Sequence, residues 1–514
     1  MTSHTLLLLC LLPLIGAGLV WVLPTSLRAG RPLAVVAAAV QAALCLPVWA
    51  AFNPRLPEFQ LVEHWGGVAA LGLDGISLLL IPTIAIVGLA AALSVPFGSE
   101  AHARRWTAAF LLTQAGAVAV LLSLHLVLLF AGWALLLGGV LSLGRPHASQ
   151  APGAGMGRVW LLGGGGLIAC GALIGVLFAG AGTGELSLIQ ARTLSPGYQW
   201  AGLLLCATLA ATCVLLFVSL PEADGGNLPG SALLAIAVFV LLRVGFALLP
   251  DASRNSGAVI AWVSLAGALL LAVQAWRQSR PAAAIGLLAA SQTLMAIAGA
   301  ATLGPEGLTG AVLRQCVIVA STAAALLFVN GAVGDGGQVR RALVLASLVP
   351  VLVMIVGVGE KSGARLQWAA ASSSGSIALA GTLVASLAAL AVLVRIGQLG
   401  WSGPVARVTA GTAGPVALVS AAALVAAIVA ASVAPSASHD RVTVAALKVA
   451  ARIDPAYAGA FEAACDTTVT DEMKAANPAN QFLAAAPCGP NGEPLPAPSS
   501  SVIAPPDASP VPAR

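Results

Sequence analysis

The sequence carries about fourteen long apolar segments, and no Asp, Glu or Lys lies unambiguously inside any of them. A helix needs roughly 20 apolar residues to cross about 30 Å of hydrocarbon. Segments of this kind lie near residues 5–25, 32–52, 75–97, 106–123, 125–144, 159–181, 199–220, 231–249, 256–276, 283–302, 310–333, 340–358, 375–398 and 412–434. The pattern predicts an all-α polytopic membrane protein with about fourteen transmembrane helices.

Composition supports the same class. Only 8% of the residues are charged and 59% are hydrophobic, with a mean hydropathy of +0.96, whereas soluble domains have roughly 25% charged residues. A large soluble core is therefore the weaker alternative. Helix bundles that move ions through a membrane normally keep ionisable side chains inside it. The near absence of such side chains is therefore a clue to function.

Arginine placement predicts the topology, because cytoplasmic loops carry the excess of Lys and Arg. Twelve arginines fall in one set of alternate loops and five basic residues fall in the other set. We therefore expect both termini on the periplasmic side of a prokaryotic inner membrane. Arg314 is expected near the external end of its span, as an anchor. The net charge of +5 follows from this anchoring and gives no reason to expect a nucleic-acid partner.

The residues after the last span form a tail of different character, so we divide the chain into a transmembrane domain, 1–434, and an extramembrane tail, 435–514. Val442, Ala446, Val449 and Ile453 recur at helical spacing, and Asp454-Pro455 ends the run. This short amphipathic helix could pack on its own membrane domain or on a partner subunit. Beyond it, the Pro- and Ser-rich end of the chain is predicted to be disordered.

Two of the eight cysteines, Cys465 and Cys488, fall in this tail. In an oxidising periplasm they are candidates for a disulfide. A metal site is the weaker alternative, since the tail has no CxxC and no nearby His pair. The other six cysteines lie in apolar spans, where Cys usually packs as a small residue. Nothing in the sequence indicates a bound cofactor, a metal centre, a hydrolytic triad or a soluble small-molecule substrate.

Several short motifs occur in an order that resembles a known family. They are residues 73–79 (LDGISLL), 124–130 (LHLVLLF) followed by Trp133, 220–224 (LPEAD) followed by 231–234 (SALL), the region 277–295, and 326–333 (LLFVNGAV). The chain resembles the antiporter-like membrane subunits of respiratory complex I (NADH-quinone oxidoreductase). These subunits recur in Mrp cation/proton antiporters, membrane-bound hydrogenases and DAB-type carbon-uptake complexes. The resemblance implies an inverted-repeat bundle, proton transport, the lipid bilayer as surroundings and other membrane subunits as partners.

The family's proton-relay charges are nearly all missing from this sequence. The Glu that follows the fifth-helix Trp is replaced by Ala134, and the seventh-helix Lys falls at Ala210-Ala211. The Lys of the later discontinuous helix falls near Ala323. A Lys paired with a Glu can load and unload a proton because the partner's charge shifts the pKa of the Lys. The resemblance therefore implies a charge-depleted member of the family.

Two residues remain candidates for an ion path. Arg243 aligns best with the family's eighth-helix Lys, and His125 replaces the Asp at the start of the fifth helix. Arg stays protonated under ordinary conditions, so Arg243 could instead be a packing residue at the end of its span. His125 could titrate near neutral pH, but it falls in a short turn and could instead cap a helix.

Two classes of function follow, and neither gives the chain a catalytic site of its own. The first is a scaffold subunit of a complex-I-related membrane assembly that has lost autonomous proton translocation. The second is an active proton or cation translocating subunit, whose path is completed by Arg243, water and neighbouring subunits. Ser219, Ser231, Thr293 and Thr322 could help to line such a path. An independent carrier for a neutral solute is a third idea, which no recognisable site supports.

Overall fold

The computed structural model describes residues 4–24, 29–56, 59–65, 69–94, 100–143, 154–220, 227–331, 337–357, 361–402, 415–433 and 435–464. In chain order the elements are α1 (Thr5–Val22), α2 (Gly30–Ala51), β1 (Gln60–Trp65), β2 (Ala69–Leu73), α3 (Gly75–Ser94), α4 (Glu100–Leu122), α5 (Leu126–Leu143), α6 (Ala154–Ala181), α7 (Leu186–Ala191), α8 (Pro196–Ser219), α9 (Asn227–Gly230), α10 (Ala232–Phe239), a π-helix (Val240–Phe246), α11 (Pro250–Trp276), α12 (Pro281–Ala300), α13 (Pro305–Gly331), α14 (Gly337–Val356), α15 (Gly363–Ser373), α16 (Ser376–Ser402), α17 (Pro415–Val433), α18 (Pro435–Ile453), a 3-10 turn (Pro455–Tyr457) and α19 (Ala458–Ala464).

Long apolar helices make up the bundle. Within the described ranges, twelve helical segments are long and apolar enough to cross a membrane, and two shorter apolar segments lie within α14 and α17. The prediction of about fourteen spans in a multi-pass membrane protein is thereby confirmed. Helices suit this environment because every backbone polar group is satisfied within the segment, where no water is present to do so.

The bundle has a buried centre and an apolar periphery. The segment Asn227–Phe246 is wholly buried, and α4 is nearly so, whereas α2, α6 and α11 are only about a third buried. Peripheral helices expose large apolar side chains such as Leu161, Ile168 and Val263. An exposed apolar surface of this kind is stable only against lipid or another apolar protein surface.

Two of the spans are interrupted rather than continuous. The central segment changes from α10 into the π-helix. Although π-helical turns are rare in proteins, many of those that occur lie at functional sites. The α14–α15 segment is broken between Val356 and Gly363, where Gly357 has φ +73°. A side chain at Gly357 would be strained in this left-handed conformation, so the break depends on glycine.

A β-hairpin and α18 cover the same end of the bundle. Strands β1 and β2 pair antiparallel, and β2 leads directly into α3. The predicted amphipathic helix is confirmed as α18, with its apolar residues Val442, Ala446, Val449 and Ile453 in the main hydrophobic core. Of the two partners considered for it, α18 therefore packs on the chain's own membrane bundle.

Candidate functional site

The motif at the start of α3 is held by its own side chains. Asp74 precedes the helix, and its Oδ1 accepts a hydrogen bond from the backbone N–H of Ser77 at 2.8 Å. The Ser77 hydroxyl donates to the carbonyl oxygen of Leu121, at the end of α4, at 2.7 Å. A carboxylate at this position satisfies a helix N–H that has no partner within the helix. The local sequence thus holds the Asp74 carboxylate near the C-terminal end of α4.

Arg243 reaches this motif from the π-helix. Its Nη1 lies 3.3 Å from Asp74 Oδ2, donates to Ser77 Oγ at 2.8 Å and donates to the Leu121 carbonyl oxygen at 3.3 Å. The guanidinium carbon lies 4.5 Å from the centre of the Phe59 ring. We call Asp74, Ser77, Arg243 and Phe59 the arginine clasp. Both charged members are buried, so each supplies the counter-charge that the other needs away from water.

A small cavity adjoins the arginine clasp. Its volume is about 30 Å³, and Arg243, Asp74, Gln190 and the buried Lys448 of α18 are among the residues that line it. Arg243 Nε and Nη2 have no hydrogen-bond partner among the described residues. A polar cavity of this size has room for roughly one or two water molecules. The clasp therefore joins α3, α4, the π-helix and α18 around a pocket that water can fill.

The close approach of α18 explains the glycine of the motif. A Cβ atom built on Gly75 would lie 2.0 Å from the Arg441 carbonyl oxygen of α18 and 3.2 Å from Val442 Cα. No side chain fits at that distance unless α18 moves. Within four residues, Asp74 caps α3, Gly75 allows α18 to approach, and Ser77 provides the hydroxyl that bonds to Arg243.

The positions where the family keeps relay charges hold small apolar residues. Ala210 and Ala323 are buried, and Ala134 is half-buried next to the buried Trp133. Trp133 Nε1 has no hydrogen-bond partner in the described part of the chain. Of the positions aligned with the family's relay Glu and Lys residues, Arg243 alone carries an ionisable group, and the structure places that group in the arginine clasp.

His125 lies in the short turn between α4 and α5 and forms an isolated β-bridge with Glu185. Its Nδ1 accepts a hydrogen bond from the Val127 N–H at 3.2 Å, in the first turn of α5. The imidazole packs against Gly184, where a Cβ atom would lie 2.7 Å from Nε2. His125 and Arg243 lie at the same end of the bundle. Among the described residues, no hydrogen bond joins the two.

A second buried arginine was placed wrongly by sequence reasoning. Arg314 was expected as an anchor at the end of its span, but it lies nine residues after Pro305, about 14 Å along α13 at roughly 1.5 Å per residue. Its side chain is 2% exposed. Nη2 donates to Gln292 Oε1 at 2.6 Å, and Nη1 donates to Gln367 Oε1. We call Arg314, Gln292 and Gln367 the amide cradle.

The amide cradle joins three helices. Gln292 belongs to α12, Arg314 to α13 and Gln367 to α15, and Gln367 Nε2 also donates to the Ala296 carbonyl oxygen at 3.0 Å. Glutamines inside apolar spans are the signal that could have revealed this cluster, because a buried amide needs a hydrogen-bond partner. Spacing along one helix cannot show it, since the three residues meet only in the folded bundle.

The last predicted site residues are the cysteines. Cys465 and Cys488 lie outside the described residues, so their pairing stays a prediction. The six cysteines of the spans are free thiols. Within the described ranges, no group of three or more His, Cys, Asp or Glu side chains could hold a metal ion.

Comparison with known proteins shows the fold. No family model and no curated protein matches the sequence. Among solved structures, a chain of respiratory complex I from Thermus thermophilus has a TM-score of 0.70 at 19% identity, covering 87% of this chain and 99% of that one. A chain of the Mrp complex from Dietzia sp. DQ12-45-1b has a TM-score of 0.67 at 16% identity, covering 90% and 99%.

A third solved structure belongs to another kind of complex. A chain of the membrane-bound sulfane sulfur reductase, an archaeal respiratory membrane complex, has a TM-score of 0.64 at 16% identity, covering 88% of this chain and 100% of that one. The predicted antiporter-like fold is thereby confirmed. Because each matched chain is covered almost in full, the likeness extends over the whole bundle and is not limited to a few helices.

Proposed function

We propose that this protein is a membrane-arm subunit of a multi-subunit assembly related to complex I, and that it is a scaffold without autonomous proton translocation. The solved structures that share its fold come from complex I, an Mrp complex and an archaeal respiratory membrane complex. Their low identity limits that support to the fold. The choice of scaffold rests on the interior of this chain.

The observation that carries the proposal is the arginine clasp. Arg243 is the one ionisable residue at the positions aligned with the family's relay Glu and Lys, and its Nη1 is held by Asp74, Ser77 and the Leu121 carbonyl oxygen. A guanidinium stays protonated under ordinary conditions, and the carboxylate of Asp74 is its counter-charge inside the bundle. Such a pair fastens helices together and does not release a proton to a neighbour.

One observation favours the alternative of an active translocating subunit. Buried polar side chains follow one another on α12 and α13, where Gln315 Nε2 donates to Thr293 Oγ1 at 3.4 Å. Within the described ranges, Gln315 Oε1 and Ser321 Oγ have no hydrogen-bond partner. Water could connect such groups into a path to the amide cradle. Of the polar residues expected to line a path, Thr293 takes part. The Ser231 hydroxyl instead donates to the Leu228 carbonyl oxygen of α9, and the Thr322 hydroxyl donates to the Ile318 carbonyl oxygen of its own helix.

The test is proton flux in proteoliposomes that contain the whole assembly. Exchanging the clasp pair for apolar residues, Arg243→Met with Asp74→Leu, removes both charges without leaving one unpaired. A scaffold predicts flux equal to that of the wild type in any assembly that forms. A flux loss of tenfold or more in a correctly assembled complex would establish the active alternative.

Two further variants complete this experiment. Arg277→Ala removes an exposed arginine and is the matched control for loss of positive charge. Ala134→Glu restores the carboxylate that follows the fifth-helix Trp in the family. With the seventh-helix position still apolar, we expect this Glu to add no flux to that of the wild-type assembly, because it has no Lys partner to load and unload.

A further inference from the structure

Arg314 is a buried cation without a counter-charge among the described residues. No carboxylate of the described chain forms an ion pair with it, and its two hydrogen bonds go to the neutral side chains Gln292 and Gln367. Its Nε is buried and has no hydrogen-bond partner in the part of the chain that the structure describes. An unpaired buried charge is strongly unfavourable, whereas a paired and hydrogen-bonded charge can be tolerated. An anion at Arg314 would supply a full negative charge, whereas the two amide oxygens supply only partial negative charges.

A cavity lies directly beside this charge. Its volume is about 330 Å³, and it is lined by residues of α2, α3, α13, α14 and α18 and by the α14–α15 break, with Arg314 among them. Ligand pockets in proteins range from roughly 300 to 1,000 Å³. The cavity is therefore large enough for part of an organic molecule, and far larger than a single water needs.

The walls define the chemistry of the occupant. Most of the lining is apolar, including Leu79, Ile86, Val317 and Met354, which come from helices that span the membrane. Basic groups mark two parts of the cavity, the buried Arg314 and the exposed Lys361 at the α14–α15 break. A small inorganic anion would leave the apolar walls uncovered, and a neutral chain would leave Arg314 unpaired.

We propose that this cavity binds an anionic amphiphile, with its acyl chain against the apolar walls and its acidic group at Arg314. The acidic group accepts hydrogen bonds from the guanidinium, which presents donors in a planar fork suited to carboxylate and phosphate. The bilayer supplies such molecules as free fatty acids and as phospholipids. This site is separate from the arginine clasp, which carries the proposed scaffold function.

The experiment uses the full-length protein purified in a neutral detergent, with cis-parinaric acid as a fluorescent fatty-acid probe. We expect saturable binding, displacement by palmitate, and no displacement by hexadecanol, which has the same chain without the charge. Arg314→Gln should weaken probe binding by at least about tenfold, because hydrogen bonds to a charged group are lost. Competition by palmitoyl-lysophosphatidylglycerol, compared with palmitate, distinguishes a phosphate ligand from a carboxylate ligand.

Two further variants distinguish a loss of the binding site from a folding defect. Val317→Trp fills the cavity from a half-buried position and leaves Arg314 in place, so it should also abolish probe binding. Arg365→Gln removes an exposed arginine from α15 and should leave binding unchanged. The proposal is wrong if hexadecanol competes as well as palmitate, or if Arg314→Gln binds like the wild type. Absence of saturable binding to the folded wild type would also refute it, and would point to a carboxylate of a partner subunit.

Discussion

Among the described residues, two arginines are buried, and each is accommodated in a different way. Arg243 in the arginine clasp has a carboxylate partner, Asp74, at 3.3 Å, and an aromatic ring beneath its guanidinium. Arg314 in the amide cradle is bonded to two glutamine oxygens and lies beside a cavity of about 330 Å³. The clasp adjoins a cavity of only about 30 Å³. At the first site the positive charge has a counter-charge and little empty volume beside it. At the second site the positive charge has only neutral partners among the described residues and a large cavity beside it.

This difference separates a structural contact from a binding site. A buried ion pair with a neighbouring hydroxyl compensates its own desolvation within the chain, and its geometry fastens α3 to the π-helix. A buried cation held only by neutral amides retains the capacity to attract an anion. The two sites should therefore respond in opposite directions when a carboxylate is removed from one and added to the other.

The largest effect is expected when the counter-charge of the arginine clasp is removed. Asp74→Ala leaves Arg243 buried and unpaired and removes the cap of α3, so unfolding should become easier by about 3–5 kcal/mol. Thermal unfolding of the purified protein in detergent measures this. Glu306→Ala, at an exposed residue in the first turn of α13, is the control and should change little.

The double variant sharpens this prediction. Arg243→Met combined with Asp74→Leu should be less destabilised than Asp74→Ala, because no charge is left unpaired. Equal stability of Asp74→Ala and the wild type would contradict the clasp as a structural contact.

A smaller loss is expected at the glycine that lets α18 approach the clasp. Gly75→Ala places a methyl group 2.0 Å from the Arg441 carbonyl oxygen, so α18 must shift. Overpacking of this kind costs about 1–3 kcal/mol, which exceeds the gain that alanine brings to a helix. Limited proteolysis should show faster cleavage near α18, together with a lower unfolding temperature.

Gly164→Ala is the matched control for this variant. Nothing lies within 4 Å of a Cβ atom at Gly164, so the methyl group there meets no neighbour. Equal protease resistance of the Gly75→Ala and Gly164→Ala proteins would mean that α18 is not held against α3.

The smallest expected effect is a gain in stability, and it concerns the amide cradle. Gln292→Glu gives Arg314 a carboxylate at the position of an existing hydrogen bond, and we expect a gain in stability on the order of 1 kcal/mol. The same variant should weaken binding of cis-parinaric acid, since the new carboxylate competes with the ligand's acidic group. Thermal unfolding and the probe titration measure the two parts, and a destabilised variant with unchanged probe affinity would show that Arg314 needs no counter-charge.

Much of the architecture could be predicted from the sequence because hydrocarbon imposes simple rules. Segment length and the lack of charge predicted the spans, and helical spacing with Asp454-Pro455 predicted α18 and its end. The order of motifs predicted the antiporter-like fold. Arg243 was singled out as the surviving ionisable group. Its partner Asp74 was noticed only as part of a motif, because 169 positions separate the two residues (243 − 74).

The amide cradle shows most clearly where sequence reasoning stops. Arg314 looked like an anchor near a span end, because an arginine within reach of the interface can extend its charged group into water. The bundle instead turns it toward Gln292 and Gln367, which come from two other helices. Which side chain faces inward depends on helix rotation, and packing sets that rotation.

The sequence by itself therefore determined that this is a multi-pass helical membrane protein and where its spans lie, since those properties depend on local apolar length. It also determined that Ala134, Ala210-Ala211 and Ala323 stand where the resemblance places relay charges of the family, with Arg243 as the exception. Only the tertiary structure decided that one buried arginine is neutralised by Asp74 while the other faces a cavity. Partner choice at each site is set by long-range packing of separate helices, which no local pattern in the chain encodes.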